Sequence, residues 1–131
     1  MAVQLDHFIV SSHNRVAAAK QLADLLGVPW EETQLGIFSP VYINDGLTLD
    51  FAQTDEDFPV EHFCFRVSES EFDAILERIQ AAGIAYRSDV RGPTDMRVAE
   101  RYGGRGFYWN EPDGHQWEVL TASYARRSSQ P

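Results

Sequence analysis

The sequence predicts an α+β protein built from two tandem βαβββ modules. Three observations carry that reading. A strand, a helix and a hairpin follow one another twice along the 131 residues. The landmarks of the two runs recur at a nearly constant offset. The second run closes on residues 104–121, GRGFYWNEPDGHQWEVLT, where strands 105–110 and 115–121 flank the turn 111–114. In that turn Pro112 presets φ and Gly114 supplies the positive φ that the chain needs.

Residues 3–10 (VQLDHFIV) are apolar and β-branched enough for a strand, with His7 at its centre. Ser11 or Ser12 caps the helix that follows, roughly 14–26, in which Val16, Ala19, Leu22, Ala23 and Leu26 share a face. Gly27 ends the helix and Pro29 keeps it from resuming. Residues 35–43 and 46–52 read as strands around Asn44-Asp45-Gly46, a strong hairpin signal. An acidic linker, 53–59, carries Asp55, Glu56 and Asp57.

The order then begins again. Residues 61–67 form a strand with Phe63, Phe65 and Val67 on one face and His62, Cys64 and Arg66 on the other. Ser68-Glu69-Ser70-Glu71 is a capping box for a helix to about Ala82, with Phe72, Ile75, Leu76 and Ile79 as its buried stripe. Gly83 ends that helix, and 84–87 is a short strand. Residues 88–102 lack clear periodicity and hold Gly92-Pro93, which predicts a long excursion over the surface. In the last strand Trp117, Val119 and Thr121 lie opposite Gln116, Glu118 and Leu120, and 123–131 reads as a frayed tail. The expected organisation is one domain, 1–125, with module one at about 3–53, module two at about 60–121, and a flexible tail at 126–131.

The two runs match at their landmarks. His7 and His62 lie 55 residues apart, and Gly27 and Gly83 lie 56 apart. Gly36 and Gly104, Asp45 and Asp113, Gly46 and Gly114, and Asp50 and Glu118 are each 68 apart. The jump is a 12-residue insertion at the 88–102 excursion. Duplication of this kind brings equivalent positions onto one axis.

Composition narrows the function classes. An apolar content of 44% is that of a globular chain, and a formal charge of −9 disfavours nucleic acid or an anionic membrane as partner. Cys64 is the single cysteine, so no intrachain disulfide forms and a reducing compartment fits. The N-terminus lacks a signal-peptide pattern, and no apolar run approaches the ~20 residues of a membrane span. The expectation is a soluble, cytoplasmic protein.

Glu118 is a carboxylate within an aromatic strand, and such a group is seldom buried without a partner. A lone strand histidine is ordinarily a hydrogen-bonded sheet residue. Here a histidine recurs on the first strand of each run, and a carboxylate on the last. His7, His62, Glu118 and Asp50 are therefore candidate ligands of one divalent ion. Two histidines and a carboxylate with open positions suit Fe(II), and Mn, Co, Ni or Zn are compatible.

LDHFIV with His7, EHFCFRV with His62 and GFYWNEPDGHQWEVLT with Glu118 resemble the vicinal oxygen chelate superfamily. That group includes glyoxalase I, fosfomycin-resistance transferases, bleomycin-resistance proteins and extradiol dioxygenases. The likeness covers about residues 3–121, and the final hairpin is its most specific part. It implies a glyoxalase-like fold whose curled mixed sheet surrounds a metal-binding cup. It also implies that the metal chelates two neighbouring oxygens of a small substrate, with His7, His62 and Glu118 as ligands. Asp50 sits where glyoxalase I carries a glutamate, which makes it a fourth ligand or a general base. Family members usually dimerise, so a homodimer is expected.

The reaction implied is that of a lyase or isomerase, a dioxygenase or a transferase. The alternative is a bleomycin-resistance-like protein that sequesters an aromatic or antibiotic ligand without turnover, and a third is a closed structural metal site. Cys64 and Arg66 share the face of His62; the first reads as a buried filler or a cup residue, the second as an anion contact or a partner for the acidic linker. Arg91, Arg97, Arg101 and Arg105 cluster on and beside the excursion, where they suit an anionic ligand or a solvated face. Tyr102, Tyr108 and Trp109 supply an aromatic wall or core. His13 and His115 read as solvated residues.

Overall fold

The computed structural model describes residues 3–33 and 36–125. The chain divides into two compact units, Met1–Glu61 and His62–Pro131. The first contains β1 (His7–Ser12), α1 (Arg15–Leu26), β2 (Phe38–Asn44) and β3 (Leu47–Gln53). Its sheet has the order β1-β3-β2, with β1 parallel and β2 antiparallel to β3. The second contains β4 (His62–Arg66), α2 (Glu69–Ala81), β5 (Ala99–Arg101), β6 (Gly104–Asn110) and β7 (Gln116–Leu120). Its sheet has the order β4-β7-β6-β5, again with the first strand parallel to the last. This is the expected α+β class, and the duplication is visible in the strand order itself.

Local chemistry explains the helices. Asn14, rather than either serine, caps α1 by accepting from the Ala17 N–H, while Ser12 Oγ accepts from the Asn14 N–H. Gly27 closes α1 in the left-handed region at φ 74°. The Ser68–Glu71 capping box forms as expected, and Phe72, Ile75 and Ile79 are the buried stripe of α2. Phe107 packs edge-on to Phe72, and Phe107, Trp109, Trp117 and Val119 complete the core of the second unit. Val10, Ala19, Leu22, Val41, Leu49 and Phe51 form that of the first.

Several element bounds differ from expectation for identifiable reasons. β1 begins at His7 rather than spanning 3–10, because its partner β3 starts at Leu47 and the ladder runs out at His7↔Thr48. Val3 and Leu5 are left exposed. Leu35, the expected start of the next strand, lies outside the described residues, as does the tail at 126–131. The strand expected at 84–87 is a single bridge, Arg87↔Tyr108, matched in the first unit by Trp30↔Val41.

The 88–102 excursion is more ordered than its sequence suggests. Asp95 accepts from the Ser88 N–H and hydroxyl and from the Arg97 N–H, and Arg101 donates to the Ser88 carbonyl. The excursion ends as a strand, β5, joined to β6 by Tyr102 and Gly103 at φ 56° and 78°. Two residues at positive φ between paired strands are a type I′ hairpin turn.

The turn before β7 holds a buried carboxyl. Glu111 is 6% exposed; its Oε1 accepts from the His115 N–H at 3.0 Å, and Oε2 has no hydrogen-bond partner among the described residues. Burial, and then the nearby Asp113 carboxylate, hold its titration above the usual range. Ionisation of a group so raised opposes folding. The stability it contributes is whole below the unfolded value of about 4.3 and is lost as pH rises through the folded one. Glu111→Gln keeps the acceptor for His115 but cannot ionise. Its melting temperature relative to the natural protein should therefore rise between pH 4 and pH 8. Thermal melts at the two pH values test this, and a difference that shrinks with pH would refute the buried-carboxyl argument.

Candidate metal centre

The sheets present their candidate ligands in one repeated pattern. In the first unit β1 pairs with β3 so that Ile9 stands opposite Asp50 and His7 lies two residues earlier. In the second, Cys64 stands opposite Glu118 and His62 lies two residues earlier. Histidine and carboxylate are thus diagonal neighbours on one face in both modules.

In the second unit that diagonal is closed. His62 Nε2 lies 3.1 Å from Glu118 Oε1. β7 is an interior strand, and Glu118 is only 1% exposed. Tyr108 faces it from β6 and Cys64 from β4. Among the described residues its ion-pair partner is His62, so no lysine or arginine neutralises it. The Tyr124 hydroxyl donates to the same carboxylate, 2.7 Å from Oε1 and 2.9 Å from Oε2.

The electrostatics follow from this crowding. Burial, and then the Glu118 carboxylate beside it, push the Cys64 thiol up to about 12. The residue reaches the surface, contrary to the buried filler expected, but its thiol stays protonated at neutral pH. Burial likewise raises the Tyr124 and Tyr108 hydroxyls, with Glu118 adding to both.

In the first unit the diagonal is open. His7 Nδ1 instead pairs with Asp6 Oδ2 at 2.8 Å, and the imidazole titrates above its ordinary value, chiefly through that hydrogen bond. A ring that donates Nδ1–H to a carboxylate keeps its lone pair on Nε2, the arrangement of a carboxylate–histidine–metal triad. Asp50 lies on the same cleft as His7, Tyr42 and Thr48. Within each unit, among the described residues, no three His, Cys, Asp or Glu side chains form a metal-holding group.

The pair in the second unit fits a divalent ion. Two ligands at right angles, each ~2.1 Å from an ion, stand about 3.0 Å apart. His62 Nε2 and Glu118 Oε1 already hold that separation. A buried carboxylate with one imidazole as its ion-pair partner is also a donor set short of positive charge.

The remaining expected residues divide. Arg66 is exposed and makes no ion pair among the described residues, whereas Arg105 is held by Glu69 and Asp73 and lies over the Phe72 ring. Arg101 and Tyr108 line a cleft with Glu118, and Arg97 is exposed with its N–H on Asp95. His13 Nδ1 pairs with the Thr54 carbonyl, and its ring stacks on Phe58. His115 is fully buried, not solvated, because its backbone closes the turn with Glu111 and its ring packs beside Trp117. Sequence reasoning missed Asp6 and Tyr124. The first was legible as an acid adjoining the strand histidine; the second lay in a small, polar tail with no periodic signal.

Two units share the same histidine–carboxylate diagonal, and the chain belongs to the vicinal oxygen chelate superfamily. Two similar solved structures cover nearly all of it. Oxidase ChaP-H2 is 41% identical over 95% of this chain and 98% of that one, with a TM-score of 0.87. Oxidase ChaP-H1 is 38% identical over 95% and 100%, with a TM-score of 0.86. Among curated proteins, metallothiol transferase FosB of Shouchella clausii (strain KSM-K16) is 36% identical over 66 residues, 50% of this chain. Glutathione transferase FosA of Serratia marcescens is 29% identical over 66 residues. These matches span 41% and 40% of the two transferases. No family model matches the chain. No described helix is long and apolar enough to cross a membrane.

Proposed function

We propose that this protein is a divalent-metal-dependent oxidising enzyme that binds a small substrate through two neighbouring oxygens. His7, His62 and Glu118 would hold the ion. The observation that carries the reading is the buried Glu118 carboxylate facing the half-exposed His62 imidazole at 3.1 Å, the separation of two metal ligands. The names of the two oxidases, similar over almost the whole chain, support oxidation over thiol transfer. When bound, the ion supplies Lewis-acid polarisation of the substrate oxygens.

The chain's own residues do the rest. His62 would present Nε2, the ring nitrogen that faces Glu118, as the metal-binding atom. Glu118 supplies negative charge from a dry site. Asp50, which is not hydrogen-bonded to His7, stands as the general base for a substrate hydroxyl. Arg66, exposed on the face of His62, meets an anionic substrate group, and Arg101, Arg97, Tyr108 and Cys64 complete the substrate contacts. The chain is expected to work as a homodimer.

Metal analysis of the purified protein tests the reading. It should hold one divalent ion per chain, lose it to chelator, and lose it in His62→Ala. Oxygen consumption should then be screened against catechols and other vicinal-oxygen aromatics with Fe, Mn, Co, Ni and Zn. A protein with no stoichiometric metal, whose ligand affinity ignores chelator and His62→Ala, would instead be a sequestration protein.

A further inference from the structure

We propose that Tyr124 gates the metal position: its hydroxyl occupies the fork of the Glu118 carboxylate in the metal-free protein and leaves when an ion binds, moving residues 121–125. This rests on the metal reading above and extends it to a residue outside the ligand set. The geometry is specific. The hydroxyl is near-equidistant from the two carboxylate oxygens, at 2.7 and 2.9 Å, while His62 approaches one of them from β4. A cation bound to Glu118 beside His62 needs lone pairs in the same fork. A phenol proton shared between both oxygens competes with an ion for the lone pairs of that fork.

The segment around Tyr124 makes few hydrogen bonds among the described residues. Past β7 the Thr121 N–H donates to the Arg105 carbonyl, and Arg105 N–H donates to Thr121 Oγ1. Gly104 pins this point: a Cβ there would lie 2.9 Å from the Ala122 nitrogen. Beyond it, among the described residues, the backbone tie is the local Ala125 N–H to Ser123 Oγ. Among the described residues, the hydrogen bonds that tie 122–125 to the sheet are those of the Tyr124 hydroxyl.

A second aromatic completes the closure. The Tyr102 ring packs on Tyr124 with centroids 5.6 Å apart. Tyr102 is 65% exposed and adopts φ 56°, a left-handed conformation that is strained for a non-glycine residue. The cleft lined by Arg101, Tyr102, Tyr108, Glu118 and Tyr124 has a volume of about 20 Å³. That is room for about one water molecule. Opening the gate exposes Glu118 and enlarges the cleft in one movement.

Zinc titration by calorimetry tests the gate, with the natural protein, Tyr124→Phe and Glu118→Gln compared. Tyr124→Phe keeps the ring and removes the hydroxyl, so it should bind zinc about tenfold more tightly. Hydrogen exchange at residues 121–125 of the natural protein should speed up when zinc is added. A Tyr124→Phe affinity equal to or weaker than that of the natural protein, or zinc-induced protection of 121–125, overturns the gate and makes Tyr124 a support for Glu118. If Glu118→Gln leaves zinc affinity unchanged, the metal reading itself fails, and the gate with it. If Glu118→Gln loses zinc while Tyr124→Phe gains nothing, the gate alone is refuted.

Discussion

Glu118→Gln should lower affinity for a divalent ion by at least about 100-fold, since even the outer partners of metal ligands are worth 10–100-fold. The same substitution should leave the metal-free protein at least as stable as before. The introduced amide oxygen would still accept from Tyr124 and His62, and the charge removed is one that the sheet buries with a single imidazole for compensation. Opposite signs for the two quantities are the diagnostic feature. Calorimetric titration and a metal-free thermal melt measure them. If the melt falls by the several kcal/mol of a broken buried ion pair while metal affinity holds, Glu118 is structural.

His7→Ala should weaken metal binding to a similar degree, and Asp6→Ala by about tenfold. The effect is carried by the ring: Asp6 accepts from Nδ1 and so keeps the lone pair on Nε2. The lower end of the usual range is expected because the Asp6 side chain is 90% exposed and water screens the bond. Asp6→Asn, which still accepts through its amide oxygen, should recover part of the loss. Equal affinities for the natural protein and Asp6→Ala would remove Asp6 from the site. Equal affinities for the natural protein and His7→Ala would remove the whole first module from it.

Most of the scaffold was legible because its signals are local. The Ser68–Glu71 box, Gly27 at a helix end and Asn44-Asp45-Gly46 at a hairpin each satisfy backbone geometry within a few residues. The offset between Asp50 and Glu118 was legible for a different reason: duplication copies spacing. What escaped depends on partners distant in sequence. β1 starts late because β3 does, and nothing in VQLDHFIV records where β3 begins. β5 was hidden because its turn uses a tyrosine where Asn or Gly is the usual mark. Tyr124 lies in a segment without periodicity, and its importance comes from a carboxylate it folds back to meet. His115 reads as polar, yet a turn closed through Glu111 carries it inside.

The shared register of the two sheets has an evolutionary consequence. The same backbone diagram appears twice, and the two copies differ in what a single methylene can reach: Glu118 touches the histidine on its diagonal, and Asp50 does not. Position is set by the hydrogen-bond ladder, and reach by the side chain. A scaffold with position and reach uncoupled in this way can pass between chemistries without passing through an unfolded intermediate sequence.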